Sequence, residues 1–232
     1  MEPAGTKSQT RDRWLIFLGL GILVVTLAAV ILTAPRDSAP TSAKAQRSLP
    51  IRSFSIPSSS MEPALRVGER AFADMQAYDA QAPARGDIVV FTLPSDGSPT
   101  YVKRIIGLPG EKVQMKGGIV QINGRAVPTV DAGTYKLALP GEPEKQVPLK
   151  RETLPNGVSV TTLDLLSNGF YDNTSVFQVP AGQYFVLGDN RDNSTDSRVL
   201  DKFGYIPRAN VIGRITLIFW SSDFSRIGTM PK

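Results

Sequence analysis

The chain has no histidine and no cysteine among its 232 residues. That excludes a Ser-His-Asp triad, a thiol nucleophile, a zinc site built on imidazole or thiolate, and any disulfide. Only carboxylate-bound metals stay open, and a nucleophilic serine here would need a lysine or a carboxylate as its base. The lack of thiols leaves the redox compartment undecided, since such a chain suits either side of a membrane. Charge excess is also small: 26 basic against 21 acidic residues give +5. The basic residues are dispersed and form no aromatic-interleaved patch, so nucleic acid is not an expected partner. The same modest excess is compatible with anionic lipid headgroups.

What is present begins with a long apolar run. From Trp14 to Ala34, 21 consecutive residues carry no charge. As a helix rising about 1.5 Å per residue they span about 31 Å, matching a hydrocarbon core of about 30 Å. The run predicts one transmembrane helix over 14–34, after a short tail at 1–13. A cleavable signal has an apolar core of about 7–15 residues, and Pro35 would obstruct cleavage directly after Ala34. Residues 35–49, rich in Ala, Ser, Pro and charge, read as a linker. Within it Ala43-Lys44-Ala45 has the small-x-small pattern of a signal cleavage site, far from the apolar segment. Lys7, Arg11 and Arg13 before the helix and Arg36, Lys44, Arg47 and Arg52 after it leave the orientation undecided.

The remaining domain, 50–232, carries most of the 18 prolines and 20 glycines, which favours turns and short strands over a helical bundle. Strands are predicted at 70–75, 87–93, 100–106, 112–115, 119–122, 146–152, 157–163, 175–179, 183–187 and 211–220. Such spacing argues a mainly β, antiparallel fold. Asn123-Gly124 is a hairpin dipeptide tolerant of positive φ. Between 131 and 170 the composition turns polar and irregular, suggesting an inserted lobe or hairpin.

Two segments carry candidate chemistry. In Thr100-Tyr101-Val102-Lys103-Arg104-Ile105-Ile106 a strand would place Lys103 with Tyr101 and Ile105, and Arg104 with Val102 and Ile106. Both faces are mostly apolar, so at least one charge should be partly buried. Burial disfavours an ammonium and lowers a lysine pKa from about 10.4, which would make Lys103 a base. A lysine snorkelling to solvent from an edge strand is the competing reading. Ser58-Ser59-Ser60 lies between Ile56-Pro57, an extended approach, and Glu62-Pro63, a change of direction. A serine on that bend could share its own N–H with an oxyanion hole, although serine clusters are also ordinary turns. Spacing alone does not say which serine attacks. The run from Gly188 to Arg198, short and polar, reads as a loop held by its own side-chain-to-backbone bonds. As a calcium loop it lacks the glycine and the closing glutamate.

Taken together, these segments resemble bacterial type I signal peptidase, the membrane-bound leader peptidase. Four boxes occur in family order: Ser53 to Leu65 looks like the nucleophile box, Arg85 to Phe91 the next, Tyr101 to Glu111 the lysine box, and Gly188 to Arg198 the Asp/Asn-rich box. The resemblance implies an all-β catalytic core with a smaller inserted β lobe, Ser60 as nucleophile and Lys103 as general base. Ser58 and the Ser60 N–H would form the oxyanion hole, Ser194 would orient Lys103, and Asp196 with Arg198 would brace the site. Phe54, Ile56, Leu65, Val90, Tyr101 and Val102 match pocket-lining positions, or are core residues. Two departures are Ser59, where the family usually has glycine, and Ala64, where threonine is common. The implied substrate is an exported preprotein cut after a small-x-small sequence, with no metal and no organic cofactor.

Topology follows from that activity: a single-pass protein of a bacterial cytoplasmic membrane, N-terminus in the cytoplasm, catalytic domain outside. Phe219, Trp220 and Phe224 are candidates for the lipid interface, with core burial the competing reading for Phe219. Other readings are a self-cleaving repressor-type Ser/Lys peptidase, a peptidase for conjugation or pilus precursors, and a tethered, non-catalytic β scaffold.

Overall fold

Short β-branched and aromatic runs, broken by glycine turns, pair into antiparallel sheets. The structure, a computed structural model, describes residues 50–93, 99–139, 141 and 143–232. The expected N-terminal tail, transmembrane helix, linker and Ala43-Lys44-Ala45 lie outside the described residues. Among the described residues no helix is long and apolar enough to cross a membrane.

The strands are β1 (Ile51–Ser55), β2 (Arg70–Asp74), β3 (Ile88–Thr92), β4 (Thr100–Gly107), β5 (Lys112–Lys116), β6 (Ile119–Ile122), β7 (Arg125–Ala126), β8 (Thr129–Leu137), β9 (Lys145–Thr153), β10 (Ser159–Leu163), β11 (Phe177–Gln178), β12 (Gln183–Leu187), β13 (Ile206–Pro207) and β14 (Val211–Trp220). They form a seven-stranded sheet in the order β1-β2-β14-β3-β4-β12-β13, a four-stranded sheet β11-β5-β6-β7 and a three-stranded sheet β10-β9-β8. The fold is mainly β and antiparallel. Between β6 and β7 the turn residues Asn123 and Gly124 take φ of 53° and 76°, a geometry open to Asn and Gly at little steric cost.

Residues 131–170, expected to form an inserted lobe or hairpin, hold most of the three-stranded sheet, and β9 and β10 lie close to the strands predicted at 146–152 and 157–163. Strand β8 was not predicted. Its burial alternates poorly, with Val130, Asp131, Gly133, Thr134 and Lys136 all exposed. A ribbon wetted on both faces has no period-two hydrophobic signal, and its pairing with β9 comes from the backbone. Strand β1 escaped prediction for the same reason, since four of its five residues are exposed.

The large sheet is buried on both faces where it matters for the site. On β3, Val89 and Phe91 join one apolar cluster with Ile105, Val186 and Phe203. Ile88 and Val90 join another, with Ile56, Met61, Leu65 and Ile218. Strand β4 lies beside β3 in register Val89↔Lys103 and beside β12 in register Leu187↔Arg104. A strand enclosed in this way gives neither of its charged residues a short route to water: Lys103 is 5% exposed and Arg104 2%.

Candidate active site

Ser60 sits in a 3-10 turn, Ser59–Met61, that starts at Ser58 in extended conformation. Ser58 Oγ accepts the Ser60 N–H at 3.1 Å, satisfying one of the amides a turn start leaves without an internal partner. The Glu62 N–H closes the turn onto the Ser59 carbonyl at 3.1 Å. The position of Ser59 needs no positive φ, so a side chain is tolerated where the family usually has glycine. Its hydroxyl accepts from Asn193 Nδ2 at 2.8 Å.

The Gly188–Arg198 loop covers this turn. Asn190 donates its N–H to the Ser60 carbonyl at 3.1 Å and its side-chain amide to the Ser59 carbonyl at 3.2 Å. The loop is thus held only partly by itself. Asp196 accepts from the Gly188 N–H at 3.0 Å and from Arg198 at 2.8 and 2.9 Å. Other loop residues reach outward: Asp189 to Arg104, Arg191 to Glu152 on β9, and Asp192 to the Leu165 and Leu166 amides. Gly188 is required by space, because a Cβ there would overlap Ser194 Oγ and the Ser60 carbonyl.

Lys103 Nζ reaches Ser60 Oγ at 2.7 Å, with both residues buried. Burial lowers the lysine pKa to about 8. The Arg198 guanidinium acts in the same direction, while the Asp196 and Asp189 carboxylates oppose it. An amine of that pKa is substantially neutral at mildly alkaline pH, which is what a general base must be. Arg104, one residue on, donates to Asp189 through Nε at 2.8 Å and Nη2 at 2.7 Å.

A cavity of about 780 Å³ opens over this pair. Phe54, Ile56, Tyr101 and Val102 line it, together with Ser58, Ser60, Lys103 and Ser194. Leu65 and Val90 correct the expectation for the pocket. Both are fully buried in the cluster with Ile56 and Met61 and do not reach the lining. Ser194 corrects another: its Oγ is buried with no hydrogen-bond partner, so it makes no bond to Lys103. Its side chain is turned toward Gly188, next to the Ser60 carbonyl. Sequence reasoning did not assign Asn190, Asn193 or Asp189. The polar loop signalled hydrogen bonding, but their partners are distant in sequence.

A groove over a buried hydroxyl–amine pair is an arrangement that a serine hydrolase with a lysine base would have. Comparison with known proteins gives the family: residues 12–220 match signal peptidase, peptidase S26, and the chain belongs to that family. It is 37% identical over 205 residues to signal peptidase I of Rickettsia typhi, covering 77% of this chain and 75% of that protein. It is 34% identical over 256 residues to signal peptidase I of Rickettsia bellii, covering 96% and 80%. A crystal structure of a signal peptidase I from Enterococcus faecalis aligns at a TM-score of 0.35 with 28% identity, covering 59% of this chain and 98% of that one.

Proposed function

We propose that this protein is a membrane-anchored signal peptidase I that removes N-terminal signal peptides from exported preproteins, with Ser60 as nucleophile and Lys103 as general base. The observation that carries the reading is the 2.7 Å contact between Lys103 Nζ and Ser60 Oγ at a buried site. In the ammonium form Nζ donates to Oγ. Once the amine is neutral the bond reverses and the hydroxyl donates to nitrogen.

From that state Ser60 Oγ attacks the scissile carbonyl carbon and its proton passes to Lys103 Nζ. The carbonyl oxygen becomes an oxyanion. At rest the Ser60 N–H is held by Ser58 Oγ, so an incoming carbonyl oxygen takes over as its acceptor and the Ser58 hydroxyl turns to donate as well. Lys103 then protonates the leaving nitrogen, the C–N bond breaks, and an acyl-enzyme remains on Ser60. A water molecule gives its proton to Lys103 as its oxygen attacks the acyl carbon. Lys103 returns the proton to Ser60 Oγ as the carboxylic acid product leaves and gives up its own proton to solvent.

Asp196 and Arg198, bonded to each other and to the loop backbone, are read as supports for this arrangement. Phe54, Ile56, Tyr101 and Val102 are read as walls that accept Ala-sized side chains of a small-x-small sequence. The 14–34 helix is read as the anchor, with the N-terminus cytoplasmic and the domain on the outer face of a bacterial cytoplasmic membrane. Trp220 and Phe224, 49% and 84% exposed, support contact of that end with lipid, whereas Phe219 stacks on Phe72 at 4.2 Å. The cycle uses neither metal nor organic cofactor, so turnover should survive chelators.

The test is cleavage of a preprotein by the full chain in detergent. Ser60→Ala and Lys103→Ala should each remain folded and abolish processing. Turnover retained by either removes that residue's role.

A further inference from the structure

Glu62 is 4% exposed and lies two residues beyond Ser60. The arginines close to it are committed elsewhere: Arg66 pairs with Asp223 at 3.1 Å and Arg226 with Glu69 at 2.6 Å. Its own partners are neutral. Oε2 accepts from the Tyr135 hydroxyl at 3.0 Å and Oε1 from the Val67 N–H at 3.4 Å. Burial pushes the carboxyl above its usual range, against the hydrogen bonds from Tyr135 and Val67 and the charge of Arg66, with Glu69 adding to the upward push.

A buried carboxyl whose hydrogen bonds come only from neutral groups is costly, and an apolar residue of similar volume would avoid that cost. What it supplies instead is direction. Its backbone N–H closes the Ser60 turn onto Ser59, and its side chain ties the same residue to Tyr135 on β8, in a different sheet. The other wall of the site hangs on that sheet too: Glu152 of β9 holds Arg191 at 2.6 and 2.7 Å, within the short turn that supplies Asn190 and Asn193. The three-stranded sheet therefore grips both the nucleophile turn and the loop that covers it.

We propose that Glu62 is a positioning residue for Ser60, anchored by Tyr135 of the three-stranded sheet, a proposal that rests on the Ser60–Lys103 reading above. Releasing the anchor lets the turn drift, and a displacement of about 1 Å at the reacting atom can cost on the order of 10²-fold in rate.

The experiment compares the full chain with Tyr135→Phe, Glu62→Gln, Glu62→Ala and Ser60→Ala in the detergent cleavage assay. Tyr135→Phe is expected to lower kcat about tenfold with KM unchanged. Its pH–rate rise should move above that of the unaltered chain, as water entering beside Lys103 relieves the burial that lowers its pKa. Glu62→Gln, which keeps an oxygen for the Tyr135 hydroxyl, should lose less than Glu62→Ala. Where Tyr135→Phe does not fold, this graded comparison decides in its place. Unchanged kcat and pH limb in Tyr135→Phe, or equal losses in the two Glu62 variants, overturn the proposal and leave the bond a structural one. Cleavage retained by Ser60→Ala overturns the underlying reading as well, and is told apart because it appears in that variant alone.

Discussion

Arg104 and Asp189 meet through two buried hydrogen bonds of 2.8 and 2.7 Å, one residue along β4 from Lys103. Successive strand residues face opposite ways, so the two cations meet different surroundings. The guanidinium receives a carboxylate; the amine receives a hydroxyl. Arginine keeps its proton in proteins, whereas a buried lysine sheds its proton readily. The neighbouring ion pair thus gives Arg104 a counter-charge and leaves Lys103 facing a neutral hydroxyl.

The first consequence is a pH dependence. Only neutral Lys103 can take the Ser60 proton, so kcat/KM should rise through a pKa of about 8 and then level. A profile flat from mildly acidic to alkaline pH contradicts a lysine base.

Stability should respond as well. Because the folded pKa of Lys103 lies below the ordinary lysine value of 10.5, at about 8, the unfolded chain binds more protons between those limits and stability rises with pH there. Below about 8 the full cost of burying the ammonium is present; above 10.5 it has been relieved. Lys103→Met should remove this term, raising stability near neutral pH by on the order of 3 kcal/mol while cutting turnover about 10²–10⁴-fold. Thermal unfolding of both forms at several pH values should show their difference shrinking as pH rises.

Breaking the Arg104–Asp189 pair is a different matter. Asp189→Asn leaves a buried guanidinium without its counter-charge, which costs about 3–5 kcal/mol. Thermal unfolding of the variant should register that loss; an unchanged transition would show that the pair contributes nothing net.

At Gly188 the prediction is steric. Gly188→Ala forces a methyl group against Ser194 Oγ and the Ser60 carbonyl, pushing the nucleophile turn away from the loop. Turnover should fall about tenfold or more, and Gly188→Ala combined with Ser194→Ala should recover less than fully, since the Ser60 carbonyl is still in the way. Kinetics of the single and double variants check this.

Ser58→Ala removes the proposed second oxyanion donor. It should lower kcat by about 10²–10³ with little change in KM, and weaken the cap on the Ser60 turn by about 1 kcal/mol. A variant with unaltered kcat would leave Ser58 as a cap only.

Much of the fold was legible where one face of a strand meets the core. Strands β3, β4, β12 and β14 carry β-branched and aromatic runs, and each lies close to its predicted bounds. Strand β8 was missed because its exposed residues encode no alternation. In the site, the absence of histidine and cysteine narrows the base to lysine or a carboxylate, but spacing does not say which serine attacks, and Ser60 and Lys103 stand out by their resemblance to the family's boxes. Leu65 and Val90, by contrast, share an apolar character with the residues that line the cavity, and sequence cannot separate a wall from the layer behind it. Ser194 marks a further limit. Its place in the loop was evident, but the side chain's direction depends on how the loop packs over Gly188.

By itself the sequence determined which chemistry was available: with imidazole and thiol absent, a serine could be activated only by lysine or carboxylate, and apolar flanks on both strand faces made a buried lysine plausible. Tertiary structure decided which partner each cation meets. Residues 60, 103 and 189 are far apart in the chain, and only the packing of β4 against β3 and β12 brings a hydroxyl to Lys103 and a carboxylate to Arg104. Desolvation and charge pairing act through distance and solvent access, quantities that come into being only when the sheets close around these side chains.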